Sequence, residues 1–367
     1  MGLLAVAALL LSACGQEAGG SAGSEGGGDA SGLADAQANV ESALQAPTAI
    51  SQTEPLATAP PAEGSIIFLA NAVPATSVIG DGVEEAAEVV GWDYDEVTYD
   101  TANPATLQSA LMSALSKDPT AVVVTGVSPD QYGQTAVDAY EEAGVPIVAA
   151  GVCPVEPKGP IVAGPSGCDQ ETQVGKLLAD WIAVDSNGTA QVLHANVTAY
   201  PSYLAMADGL EEELAASCPD CSLDTIELTA AQVSEGQVIP TTVNALRANP
   251  TIKYLVFDNA AFASGLDAAL AAAGLTDITV VGRQADQAAI TALQNGGEGV
   301  WTASSYSVLG HGAMDAALRA VTGSQGFEGN FVAPIQLLSA DNAADVTVPY
   351  VEPKDALDQY SQLWQVS

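Results

Sequence analysis

The sequence predicts an α/β protein made of two doubly wound parallel-sheet lobes. Three observations lead there. Short apolar runs without alternation, SIIFLA at 65–70 and AVVVT at 121–125, are the signature of strands covered on both faces. Helical stretches with short loops separate such runs, which places successive strands parallel with helices on both faces. The alternation occurs in two successive series, and 367 residues are more than one compact core usually holds.

The elements follow in order from residue 64. After strand 65–70, a helix over 76–90 is stopped by Gly91, and 93–99 is the next strand. Asn103-Pro104 opens a helix, because Asn caps free amides and Pro is pre-set for the first turn. Strand 121–125 precedes a second such start at Ser128-Pro129, whose helix Gly144 closes, and strand 145–150 follows. The second series reads as strand 190–195, helix 202–217, strand 223–228, helix 234–248, strand 252–257, helix 260–273, strand 278–282 and helix 286–295. Segments 136–151 and 265–282 look like an internal repeat, each a helix, a Gly stop and a buried strand. Residues 355–364 are expected to form a closing helix.

Composition narrows the partners. Hydrophobic residues make up 48% but aromatics only 5%, so the cores must be built from Ala, Val, Leu and Ile. Eight Lys plus Arg face 45 Asp plus Glu, a formal charge of −37. That field repels phosphate backbones and anionic headgroups, which excludes nucleic acid as a partner and favours solubility.

Residues 3–11 are almost all apolar and lead into Leu11-Ser12-Ala13-Cys14-Gly15. The run is shorter than the about 20 residues a bilayer-spanning helix needs and has the length of a signal-peptide core. The four residues before Gly15 resemble a bacterial lipobox, which implies lipidation of Cys14 and an extracytoplasmic chain held at the membrane. No Lys or Arg precedes the apolar core, a departure from that pattern. Residues 15–63 are rich in Gly, Ser, Ala and Pro and read as a flexible tether with room for a short helix at 33–44.

Four further cysteines outside the cytoplasm suggest two disulfides. The expected pairing is Cys153 with Cys168 and Cys218 with Cys221, the shorter loops, although spacing leaves the connectivity open. A redox role for Cys218-Pro219-Asp220-Cys221 would call for a helix N-terminus to stabilise the thiolate, and this motif follows a helix instead. His194 and His311 are the only histidines and stand at no metal-ligand spacing, so no metal or cofactor is expected.

Several segments together resemble the type I periplasmic binding proteins, the ribose-binding-like branch. They are 143–148 (AGVPIV), Gly175 opening a helix, Phe257-Asp258-Asn259 before Ala263-Ser264-Gly265, 277–282 (DITVVG) and helix 310–321 ending at Gly323. The resemblance covers roughly residues 64–345. It implies two Rossmann-like lobes joined by a three-strand hinge, with crossings near 164–170, 283–286 and 323–330. The domain expectation is a signal peptide and lipobox at 1–14, a tether at 15–63 and a first lobe at 64–164 plus 284–322. A second lobe at 165–283 plus 323–345 and a C-terminal extension at 346–367 complete it.

Ligand is then expected between the lobes, at the carboxyl ends of the strands. Those ends supply Asn71, Thr76 and Thr125 from the first lobe. They supply Asn196, Tyr203, Asp258, Asn259, Phe262, Arg283, Gln284 and Tyr306 from the later strands. Amide and charged side chains can fork two hydrogen bonds to vicinal hydroxyls, and aromatic rings cover the flat face of a sugar. Four charged sugar clamps of the resembled family are absent or displaced. The fourth strand leads into 150–153 (AGVC), and Met206, Ala260 and Gln284 stand where charges are usual. Their loss points to a small neutral ligand: a sugar, a polyol or a related compound.

An enzyme would need a clustered acid, base or nucleophile, and the sequence has no GxSxG elbow or GxGxxG after a strand and no GxxxxGK[ST]. A DNA-binding regulator of this fold would carry a positively charged helix-turn-helix, contrary to the −37 charge. The expectation is a monomeric, lipid-anchored substrate-binding protein that delivers its ligand to the permease of an ABC importer without turnover. The same lobes could instead present ligand to a membrane kinase or chemoreceptor, and the residues do not separate the two.

Overall fold

The computed structural model describes residues 28–101, 103–326 and 332–366. The signal peptide and lipobox expected at 1–14, with Cys14, and the first part of the tether lie outside the described residues.

The described residues open with α1 (Gly28–Ala43) and then build the first lobe: β1 (Ser65–Ala70), α2 (Pro74–Val90), β2 (Asp93–Thr98), α3 (Pro104–Leu115), β3 (Ala121–Thr125), α4 (Gln134–Ala143), β4 (Ile147–Ala150) and β5 (Ile161–Ala163). The second lobe follows with α5 (Cys168–Asp185), β6 (Gln191–Val197), α6 (Pro201–Ser217), β7 (Ser222–Leu228), α7 (Ala230–Ser234) and α8 (Val238–Ala248). It continues with β8 (Tyr254–Phe257), α9 (Leu266–Ala273), β9 (Thr279–Gly282), α10 (Gln287–Gln294) and β10 (Val300–Ala303). Then α11 (Tyr306–Thr322) returns to the first lobe, β11 (Gln336–Leu338) to the second, and α12 (Ala356–Trp364) to the first.

The first sheet is parallel in the order β2-β1-β3-β4-β5. The second runs β11-β10-β9-β8-β6-β7, parallel except for β11. Inner strands such as β1, β3, β4 and β8 are buried on both faces, as their unbroken apolar runs require. The edge strands β2 (DYDEVT) and β7 (SLDTIEL) carry acidic, exposed positions, which discourage pairing with another chain. Each sheet carries a core on both faces. In the first lobe one core gathers α2, α11 and α12, and the other α3 and α4. In the second, one lies beneath α5 and α6 and the other beneath α8, α9 and α10.

Local signals act where they were read. Asn103 accepts a capping bond from the Ala105 amide at 3.2 Å, with Pro104 in the first turn of α3. Gly91, Gly144 and Gly274 end α2, α4 and α9 in the left-handed conformation. Other expectations need correction. Ser128-Pro129 starts only a 3₁₀ turn, and α4 begins after Gly133. The stretches 234–248 and 260–273 are each broken by a left-handed glycine, Gly236 and Gly265. Gly175 lies inside α5 rather than opening it. A Cβ there would strike the Met206 carbonyl of α6, and one on Gly209 would strike the Thr172 carbonyl of α5. Both glycines serve helix contact.

The lobe boundaries differ from expectation. Residues 284–303 stay in the second lobe: β10 pairs parallel with β9, and Ile290 and Leu293 of α10 lie in that lobe's core. The second crossing therefore falls at 304–305. An apolar run such as 299–303 announces a buried strand but not which sheet takes it.

The segment expected as a tether is folded from Gly28 onward. α1 packs on α5 and α6, burying Ala36 and Val40, and Asn39 Nδ2 donates to Asp180 Oδ2 at 2.8 Å. The chain then passes to the first lobe. The Leu44 carbonyl accepts from Asn342 at 2.8 Å, Ile50 and Leu56 enter the first-lobe core, and the Leu56 amide donates to the Leu363 carbonyl at 2.8 Å. The C-terminal residues make a comparable pass, with Tyr350 in a second-lobe core and α12 on the first lobe. The three crossings are thus flanked by two terminal straps. A disulfide between Cys153 and Cys168 spans the first crossing, and a second joins Cys218 and Cys221.

Candidate functional site

A cavity of about 170 Å³ lies between the lobes at the carboxyl ends of the strands. The first lobe contributes Val73, Thr76 and Ile79 after β1, Thr125 and Gly126 at β3, Gly151 after β4, and Tyr306 and Leu309 of α11. The second contributes Gln170 and Glu171 of α5, Arg283 after β9 and Ser304 after β10. Ser166 and Ala333 of the crossings close the hinge side, where the Ala333 amide donates to Ser166 Oγ at 3.2 Å and Gln170 Oε1 at 2.9 Å.

The first-lobe wall is shaped by Asn71. Its Oδ1 accepts from the Val73 amide and Thr76 Oγ1, both at 3.0 Å, and its Nδ2 donates to Tyr99 Oη at 3.1 Å. Asn71 is therefore used within the protein, and it holds Thr76 at the cavity edge. Gly126, with φ +85°, lets the Asn71 amide approach: a Cβ there would come within 2.7 Å of Nδ2. Ser305 caps α11 by accepting from the Val308 amide at 3.2 Å, which sets Tyr306 and Leu309 over the cavity.

The second-lobe wall is organised by an ion pair. Arg283 Nε and Nη2 donate to Glu171 Oε2 and Oε1 at 2.5 and 2.6 Å, a bidentate fork between the first turn of α5 and the loop after β9. The Tyr203 ring lies 5.6 Å from the Arg283 guanidinium carbon, and Phe262 meets Tyr203 edge-on at 6.0 Å. Burial works against the guanidinium charge, but the Glu171 carboxylate outweighs it and holds Arg283 above its ordinary range. Burial also pushes Tyr203 up to about 12 and raises Tyr306, with Arg283 opposing both shifts. Gln284 takes a positive φ of 56°, exchanges hydrogen bonds with Ser304 and fixes the turn that presents Arg283.

The structure brings four of the named residues, Thr76, Thr125, Arg283 and Tyr306, to the cavity lining. Tyr203, Phe262 and Gln284 stand behind them as supports. Asn71, Asp258 and Asn259 are engaged elsewhere. Asp258 is fully buried and accepts from the Val197 amide at 2.5 Å, with His194 Nε2 2.7 Å from its other oxygen. Asn259 caps a 3₁₀ turn at the Ala261 amide. Asn196 donates to the Tyr203 carbonyl at 3.4 Å, and its buried Oδ1 has no protein partner among the described residues. Sequence reasoning missed Glu171, Gln170 and Ser166, because it searched loops after other strands and these lie in a lobe crossing or just after it. A signal existed: Arg283 is one of eight basic residues and needed a carboxylate wherever it was buried.

The periplasmic binding protein domain model matches residues 63–325, well over half of the chain. The chain belongs to the periplasmic binding protein family. Its two parallel-sheet lobes are those of the type I members. A search of curated proteins finds no match. Solved structures share the fold at low identity. A periplasmic ribose ABC transporter protein from Conexibacter woesei is 19% identical, with a TM-score of 0.65, covering 77% of this chain and 95% of its own. A 5-methylthioribose transporter solute-binding protein from Thermotoga lettingae is 16% identical, with a TM-score of 0.63 and coverages of 86% and 100%. A carbohydrate transporter solute-binding protein from Agrobacterium radiobacter, solved with D-arabinose, is 19% identical, with a TM-score of 0.60 and coverages of 77% and 96%. In this binding protein no helix among the described residues is long and apolar enough to cross a membrane. Among those residues no group of three or more His, Cys, Asp or Glu could hold a metal ion.

Proposed function

We propose that this chain is the extracytoplasmic substrate-binding lipoprotein of an ABC importer, which closes its two lobes on a small neutral organic ligand such as a sugar or polyol. The observation that carries this reading is the cavity itself. It is lined from both lobes at the strand ends, offers hydroxyl and amide groups with aromatic and aliphatic cover, and contains one charged pair that is already neutralised. Hinge bending about the crossings would seal such a site. Among the described residues no histidine or lysine lines the cavity, and the one carboxylate there is committed to Arg283, which suits binding without turnover.

A thermal-shift screen of sugars, polyols and glycerol against the full chain tests the reading. A ligand that binds only the folded state raises the melting temperature, and recovery of that ligand unchanged is expected. A chemically altered ligand would contradict it. Lipidation at Cys14 is part of the proposal and is checked by mass spectrometry of the membrane-extracted chain against the Cys14→Ala variant.

A further inference from the structure

We propose that Glu171 acts as a charge filter for the cleft, occupying the carboxylate site of Arg283 so that uncharged polyhydroxy ligands enter while their carboxylate-bearing counterparts are refused. The inference rests on the proposed binding function and assigns specificity to Glu171, which lies outside the strand-end positions.

Glu171 and Arg283 are the only charged side chains lining the cavity among the described residues. Their side chains are only 8% and 16% exposed, so neither is well hydrated without the other. Both come from the second lobe, one from the first turn of α5 and one from the loop after β9. The pair is therefore complete whether the lobes are open or closed. Tyr203 covers the guanidinium, and the turn at Gln284 fixes its base.

A guanidinium has five N–H donors, and the fork to Glu171 uses two of them. The other donors can serve hydroxyl or carbonyl oxygens of a neutral ligand without disturbing the pair. A ligand carboxylate has two options, both unfavourable. It can displace Glu171, which strands a buried carboxylate, or it can sit beside Glu171 as a second anion in a site of low dielectric. A ligand ammonium would have to take Glu171 from a bidentate partner. Selection thus arises from charge already satisfied inside the cleft.

Matched pairs test the filter by isothermal titration of the full chain: D-ribose with D-ribonate, D-arabinose with D-arabinonate, D-allose with D-allonate, and glycerol with glycerate. The wild type is expected to bind one neutral member at least about a hundredfold more tightly than its acid. The Glu171→Gln variant removes the competing charge but keeps the side-chain shape. It is expected to gain at least tenfold in affinity for the acid, with an unfolding transition confirming that it folds. The double variant Glu171→Gln/Arg283→Gln is expected to lose that gain, which shows that the acid had docked on Arg283.

A wild type that binds acid and neutral members equally overturns the filter and leaves the binding function standing. So does a folded Glu171→Gln that gains nothing for the acid. A wild type that binds no neutral compound of the panel or of the thermal-shift screen overturns the binding function, and the filter with it.

Discussion

Two of the eight basic residues, Arg319 fully buried and Arg283 largely so, each take a carboxylate with them. Arg283 faces the cleft; Arg319 ties the first lobe together. It is fully buried and donates to Asp315 at 2.7 Å, to the Gln325 carbonyl at 2.6 Å and to the Glu54 carbonyl. Trp364 donates to the same Asp315 at 2.9 Å. One guanidinium therefore joins α11, the N-terminal strap and the start of the third crossing, and Asp315 adds α12. Removing it would leave Asp315 buried without its counter-charge. Arg319→Met is expected to lower the unfolding free energy by about 3–5 kcal/mol, measured by urea denaturation. A change within about 0.5 kcal/mol of zero, the usual scale of surface substitutions, would show that the network contributes little.

Helix contacts repeat one device in both lobes. Gly82 of α2 faces Gly310 of α11, and Gly175 of α5 faces Gly209 of α6, each so close that a Cβ would meet a backbone carbonyl. The docking of α1 on α5 and α6 adds a titratable contact. Burial is the main cause raising Asp180 to about 6; Asn39 opposes the shift, and Glu213 and Asp35 add to it. The folded value lies above the ordinary value of 3.8, so protonation favours the folded contact. This stabilisation is complete below pH 3.8 and is lost as pH rises through about 6. Hydrogen exchange should therefore show α1 amides better protected at pH 5 than at pH 8, after correction for intrinsic rates. Asp180→Asn should flatten that dependence, and an unchanged pH profile in the variant would refute the assignment.

At the scale of the whole molecule, the lobes are joined by the three crossings, spanned at the first by the Cys153–Cys168 disulfide, and by two terminal straps. Each additional pass limits how far the lobes can part. Removing residues 1–49 strips α1 and the Leu44 contact with Asn342 from the second lobe but leaves Ile50 and Leu56 in the first-lobe core. The truncated chain is expected to fold, and spin labels placed on the two lobes should report a longer and broader distance distribution without ligand. Ligand affinity should weaken by the factor with which the closed population falls. An unchanged distance distribution would mean that the N-terminal strap does not restrain the hinge.

The sequence alone determined the α/β class, the two-lobe division and most element positions, because unbroken apolar runs, glycine stops and the Asn103-Pro104 start act locally. It also named Arg283, Thr76, Thr125 and Tyr306, since strand ends in such sheets converge on one edge. Tertiary structure decided what depends on contacts distant in sequence. The partner of Arg283 stands 112 residues away on a helix, and no local pattern links the two. Whether residues 299–303 belong to one sheet or the other is settled by pairing with β9, not by their hydrophobicity. The segment 28–63 has the composition of a tether, yet it folds because the lobes supply the apolar surface and hydrogen-bond partners that it lacks by itself.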